Sequence, residues 1–157
     1  PPQIRSGQVD PATLEKLCKG LGIAPESIRA SNWVDNGPGW VAVLLSSREE
    51  VLEIQADYAA LGGLNVGVVA PWAGPQAQAD IEVRAFIGNE LAEDPVTGSL
   101  NASLAQWLIK ERVLPDEYVA SQGTAMGRRG RVFVAQAGAD IWIGGEVQQC
   151  IVGEVRL

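Results

Sequence analysis

The chain has 157 residues, 46% of them hydrophobic and 20% charged, enough apolar material for one compact core. Twelve basic residues against 19 acidic ones give a net charge of −7, which disfavours nucleic acid and anionic membrane surfaces as partners. Histidine is absent, so Ser/His/Asp triads, Cys/His dyads and imidazole-based zinc sites are excluded within the chain, and no apolar run reaches the length of a membrane span.

The chain begins Pro1-Pro2 with no signal-peptide pattern. Asp10-Pro11 then predicts a helix start, because Asp accepts free backbone N–H groups and Pro fits the first helical position; Leu14, Leu17, Cys18 and Leu21 recur at helical spacing until Gly20 and Gly22. Ile28 to Val34 and Trp40 to Leu45 read as strands joined by the turn Asn36-Gly37-Pro38-Gly39, a hairpin expected to be buried on both faces. Ser47 and Glu50 have the spacing of a capping box, and the helix they open is expected to run to Gly62-Gly63. Leu64 to Ala70 and Ile81 to Ile87 follow as strands around the loop Pro71 to Pro75.

From Ser99, apolar residues at Leu100, Leu104, Trp107 and Leu108 predict a long helix reaching about Glu111. Beyond Pro115 the expected strands are Tyr118 to Gln122, Arg131 to Gln136, Ile141 to Ile143 and Val147 to Leu157. Strands in this mixed order indicate an α+β fold rather than repeated βαβ units, and no repeat or linker divides residues 1–157, read as one domain. Cys18 and Cys150 sit among apolar neighbours and read as buried free thiols. Trp33, Trp40, Trp107 and Trp142 fall within apolar patterns and read as core, while Trp72 lies on a loop that can rim a cleft. Gly123 to Gly130 is glycine-rich and basic but fits neither the dinucleotide fingerprint nor the Walker pattern, so it reads as a turn with solvated arginines, the minority alternative giving Arg128 an anion contact.

Chemistry concentrates at Glu93-Asp94-Pro95-Val96-Thr97-Gly98-Ser99. Thr97, Gly98 and Ser99 stand at the start of the long helix, where unpaired N–H groups and the helix dipole favour an anion and Gly98 leaves the backbone approachable. Asp94, a carboxylate beside that anion, is expected to bind its proton more tightly and to exchange it near neutral pH. The residues alone leave two readings open: a site for proton transfer on a small carboxylic acid, or ordinary helix capping by Thr97 or Asp94.

The seven-residue run closely resembles the signature of the phenazine-biosynthesis PhzF-like family, within the diaminopimelate-epimerase-like fold. Val83-Arg84-Ala85-Phe86, Asn36-Gly37-Pro38-Gly39-Trp40, Gln122-Gly123, Gly127-Arg128 and Gly144-Gly145 extend the resemblance along most of the chain. Arg129-Gly130 departs from it, since Pro-Ser usually follows Gly-Arg there, as does Leu100, where a smaller residue is common. The resemblance implies one half of a two-part molecule, the carboxy-terminal half, with a barrel-like mixed sheet wrapped around a central helix and an active site in the cleft between halves. Residues 1–25 would then connect to an absent first half.

By position, the resemblance makes Asp94 the acidic residue that assists proton transfer or holds a polar group of the substrate. Thr97, Gly98 and Ser99 would bind its carboxylate. The family's principal glutamate base and its partner histidine belong to the other half. The implied activity is a cofactor-independent isomerisation of a small, cyclic carboxylic acid, with no metal and a cytoplasmic location; this chain alone would be inactive, its partners the substrate and either the missing half or a second copy in a homodimer. The alternative is a non-catalytic carboxylate-binding domain. Thiol-based racemisation is disfavoured, because neither cysteine precedes a glycine at a helix start.

Overall fold

The computed structural model describes residues 2–156. A short strand not predicted from the sequence, β1 (Arg5–Gly7), precedes helix α1 (Pro11–Leu21). Asp10 caps α1 as expected, its carboxylate accepting the Thr13 N–H at 2.9 Å and the Thr13 hydroxyl at 2.7 Å, bonds that hold its carboxyl below the usual range. The predicted hairpin is present as β2 (Ala30–Asp35) and β3 (Trp40–Leu44), and the Asp35 carboxylate closes its turn by accepting the N–H groups of Gly37 and Gly39, each at 2.7 Å. All of β3 is buried, but only Trp33 and Val34 of β2 are, so burial on both faces holds for one strand of the pair.

The capping box forms: Ser47 Oγ accepts the Glu50 N–H at 3.3 Å, and Glu50 returns a bond to the Ser47 N–H at 3.2 Å. The helix it opens, α2 (Arg48–Glu53), is shorter than predicted, and the chain turns helical again only at α3 (Tyr58–Leu61). Arg84 supplies the reason. Its Nη1 donates to the carbonyls of Val51 at 3.1 Å and Ile54 at 2.7 Å, occupying acceptors at the end of α2 that a further turn would have used.

Strands β4 (Asn65–Pro71) and β5 (Ile81–Ile87) lead into β6 (Ala92–Asp94), a three-residue strand that no sequence pattern announced. Then come α4 (Gly98–Lys110), β7 (Glu117–Gln122), β8 (Gly130–Ala137) and β9 (Asp140–Gly144). The strand predicted at Val147–Leu157 does not form among the described residues. Val147, Ile151, Val152 and Val155 stay exposed, because an apolar strand pattern produces a strand only where a neighbouring edge offers hydrogen bonds; Leu157 lies outside the described residues.

Among the described residues, four α-helices accompany one open nine-stranded sheet of order β1-β2-β3-β4-β5-β7-β8-β9, with β6 paired to the end of β5. The β3–β4 and β5–β7 pairs are parallel and the others antiparallel, a mixed α+β arrangement. Each parallel pair is joined through helices, α2 and α3 in one case and α4 in the other. The sheet separates two cores. Leu100, Leu104, Ala105 and Leu108 of α4 pack against Ala42, Leu44, Val83 and Ala85, whereas Leu17, Leu21, Val51 and Leu61 of the other helices meet Val41, Val43, Val66 and Phe86.

That division explains the unbroken apolar run of β3, whose alternate residues feed opposite cores. Helix α4 lies so close to β4 that a β-carbon on Gly67 would stand 2.5 Å from Leu100 Cδ1. Trp33, Trp40 and Trp107 are core residues as expected, but Trp142, at 65% exposure, is not: it lies on the outer edge strand β9. The cysteines are both free, Cys18 half-buried with its thiol pushed up by burial, and Cys150 exposed, contrary to the expectation for it, in the segment that found no pairing edge.

Candidate functional site

The two acids of the central motif have different surroundings. Glu93 on β6 faces Arg84 on β5 in a two-pronged pair, Nε to Oε1 at 2.9 Å and Nη2 to Oε2 at 2.8 Å. Arg84 is buried, its guanidinium carbon 4.8 Å from the centre of the Phe86 ring, and it also holds the end of α2. Glu93 therefore anchors the motif. Asp94 is half-exposed; its Oδ2 accepts the Thr97 hydroxyl at 2.8 Å and its Oδ1 the Val96 N–H at 3.4 Å.

Behind this loop stands Gln122, the last residue of β7 and fully buried. Its Oε1 accepts the Thr97 N–H at 3.1 Å and Asn101 Nδ2 at 2.9 Å, while its Nε2 donates to the Asp94 carbonyl at 2.8 Å and to Thr97 Oγ1 at 2.9 Å. One side chain thereby fixes both ends of the Asp94–Thr97 turn. Gly123 and Gly130 let the neighbouring loop press on the same turn: a β-carbon at Gly123 would lie 2.8 Å from the Pro95 carbonyl oxygen, and one at Gly130 2.6 Å from Val96 Cγ2.

The start of α4 is left open by this arrangement. Thr97 occupies the capping position, but its hydroxyl is committed to Asp94 and Gln122 and makes no capping bond. The first intrahelical bond is Asn101 N–H to the Thr97 carbonyl at 3.1 Å, so the N–H groups of Gly98, Ser99 and Leu100 have no acceptor among the described residues. Ser99 is held from the hairpin turn: Trp40 Nε1 donates to its Oγ at 3.1 Å and Asn36 Nδ2 to its carbonyl at 2.9 Å. With a lone pair taken by Trp40, the hydroxyl keeps its proton for an outside acceptor. Gly98 is exposed, and a β-carbon there would meet nothing within 4 Å.

The family model for phenazine biosynthesis-like proteins, PhzC-PhzF, matches residues 1–145. The chain belongs to this family. No curated protein matches it. Among solved structures, a PhzF-family phenazine biosynthesis protein of Enterococcus faecalis shares 24% identity at a TM-score of 0.66, over 92% of this chain and 50% of that one. A PhzC/PhzF protein of Clostridium difficile strain 630 shares 20% at 0.69, over 99% and 55%. A predicted epimerase of Pseudomonas aeruginosa shares 15% at 0.62, over 92% and 57%. These similarities establish a PhzF-like fold, and the chain spans about half the length of the proteins it matches.

In this PhzC-PhzF chain, Asp94, Thr97, Gly98 and Ser99 share one turn, and the Asn36–Trp40 turn and Gln122-Gly123, both part of the sequence resemblance, lie against it. Gln122 and Trp40 emerge as the residues that shape the site, roles that depend on contacts 25 and 59 positions apart in the chain. Gly127-Arg128 packs on Gly123, the Arg128 N–H donating to the Gly123 carbonyl at 2.9 Å, while Arg128 is exposed and its side chain has no ion pair among the described residues. No group of three His, Cys, Asp or Glu residues able to hold a metal occurs among the described residues.

Proposed function

We propose that this chain forms one wall of a cofactor-independent acid/base isomerisation site for a small, cyclic carboxylic acid. In this reading the mixed sheet is a barrel-like wall around α4, and the start of α4 faces a cleft completed by protein outside this chain. The open N–H groups of Gly98 and Ser99, with the Ser99 hydroxyl, receive the substrate carboxylate. Asp94, fixed by Thr97, assists the movement of a proton from one carbon to another or holds a polar group of the substrate. The principal base comes from the completing half or from a second copy.

The observation that carries the reading is the uncapped start of α4, whose capping residue has its hydroxyl tied to the acidic neighbour. Nuclear magnetic resonance titration with benzoate tests it. Amide signals between Thr97 and Asn101 are expected to move weakly and in a salt-sensitive way, less after Ser99→Ala and hardly at all after Gly98→Val, whose β-carbon would meet nothing within 4 Å. Absent shifts, or equal shifts in Gly98→Val, would remove the anion site.

A second reading, a carboxylate-binding domain without catalysis, draws on the lack of histidine in a chain that spans half of its structural relatives. Proton exchange into a dihydroaromatic amino acid separates the two. The chain alone is expected to be inert, and exchange should appear when the completing half is supplied and fall on Asp94→Asn. Persistent inertness of the completed molecule would favour the binding domain.

A further inference from the structure

A second place suited to negative charge lies beside the start of α4. A cavity of about 680 Å³ opens between Val96, Arg129, Gly130, Arg131, Gly145 and Glu146. Arg129 and Arg131 are among its lining residues, and neither guanidinium has a carboxylate within ion-pair distance among the described residues, although the chain carries 19 acidic residues to 12 basic ones. Every acceptor they do have is neutral. Arg131 Nη1 donates to Ser121 Oγ at 2.9 Å and to the Gly130 carbonyl at 2.8 Å, and its Nη2 reaches Gln78 Oε1 at 3.4 Å; Arg129 Nη2 donates to that same oxygen at 3.3 Å.

Sharing one acceptor atom brings the two Nη2 atoms within about 7 Å of each other, and like charges so placed repel. A bound anion would relieve that repulsion and accept from both planar forks. The holding contacts also aim Arg131, whose guanidinium carbon lies 5.7 Å from the centre of the Trp72 ring, a ring already covered by Arg48 at 4.1 Å. Glu146 is the one carboxylate on the cavity wall among the described residues and opposes such a ligand.

The cavity adjoins the open helix start through the backbone, since the Cα atoms of Val96 and Gly98 can be at most about 7.6 Å apart. We propose that Arg129 and Arg131 bind a carboxylate group here, and that the substrate is a small dicarboxylic acid whose other carboxylate sits at Gly98 and Ser99. The second clause rests on the function proposed above; the first does not.

Succinate and benzoate, titrated into the same chain at fixed ionic strength and followed through the arginine Nε–H and backbone amide signals, test both. Succinate is expected to bind about tenfold more tightly than benzoate and to move the Arg129 and Arg131 signals. Arg129→Gln, at an exposed position, should abolish most of that advantage and leave benzoate binding at Gly98 unchanged, and Glu146→Gln should strengthen succinate binding. Equal affinity for the two acids, or an advantage that survives both Arg129→Gln and Arg131→Gln, would overturn the arginine site. Movement of the arginine signals alone, with the Gly98–Asn101 amides still, would keep the arginine site and instead remove the helix-start reading on which the dicarboxylate assignment depends.

Discussion

The seam where β5, β6 and β7 meet the start of α4, and the outer edge formed by β8 and β9, belong to one sheet but are held by different forces. At the seam, Arg84 and Gln122 are buried and bonded on every side, one joining β5 to β6 and α2, the other joining β7 to the Asp94–Thr97 turn. At the edge, Phe133 and Trp142 stand out from the sheet beside a cavity of about 670 Å³ that Tyr118 also lines, and the apolar tail beyond Gly145 pairs with nothing among the described residues. Polar bonds fix one region before any ligand arrives; the other presents apolar surface of the kind that partners cover.

Breaking the seam should cost most at Arg84. Arg84→Ala leaves Glu93 unpaired and strips the carbonyls of Val51 and Ile54, and removing one member of a buried pair typically costs about 3–5 kcal/mol. Urea unfolding should report a loss in that range, while Arg84→Lys, unable to reproduce the two-pronged contact, should recover only part of it. A loss below about 1 kcal/mol would mean that the seam is not stabilised as its hydrogen bonds imply.

Gln122→Ala comes next, at about 2–3 kcal/mol, because it orphans the Thr97 N–H inside the protein and takes from Asn101 Nδ2 one of its two acceptors, leaving it only the Thr97 carbonyl. Its second consequence is more telling. The Asp94–Thr97 turn would lose its fixed position, so benzoate-induced amide shifts at Gly98 and Ser99 should shrink in a variant that remains folded. Unchanged shifts would show that the helix start is set by α4 alone.

The contrast also marks what the sequence could reveal. Asp10-Pro11, the Ser47–Glu50 capping box and the limits of β5 were legible because their determinants lie within a few residues. Asp94, Thr97, Gly98 and Ser99 stood together on the chain, so their proximity needed no fold to reveal it. The break between α2 and α3 was not legible, since it depends on Arg84, 30 positions from Ile54 and 33 from Val51, and β6 is too short to carry a periodic pattern. Gln122 gained its role only through the parallel register that sets Val83 beside it. The tail beyond Gly145 has a strand's composition without a strand's partner, and Trp142 an apolar pattern on the last strand of the sheet; in both cases periodicity records which residues seek burial without saying where cover exists.

Within the edge region, Tyr118 offers a smaller test. Its hydroxyl is buried with no hydrogen-bond partner among the described residues, and burial pushes its pKa well above the ordinary value. The folded value exceeds the unfolded one, so the native state keeps this proton when the unfolded chain releases it. That contribution is whole below about pH 10 and is lost as pH rises beyond it. Tyr118→Phe should therefore be neutral or stabilising by up to about 1 kcal/mol at pH 7, and should reduce the decline in stability above pH 10. A destabilisation at pH 7 would reveal a partner for the hydroxyl.

The least effect on folding is expected from Trp142→Asp. At 65% exposure the indole contributes little to the core, and its removal should change unfolding stability by less than about 0.5 kcal/mol. If the edge is the surface through which a second copy associates, the same substitution should shift a concentration-dependent dimer to monomer in sedimentation experiments, because a charge there must be desolvated on contact. The two measurements have to be read together. Loss of dimer with stability intact assigns association to the edge. A dimer that survives Trp142→Asp but dissociates on Val96→Asp would move the contact to the face beside the start of α4 instead, and a parent chain that stays monomeric at high concentration would show that exposed apolar surface at the edge does not by itself make this chain self-associate.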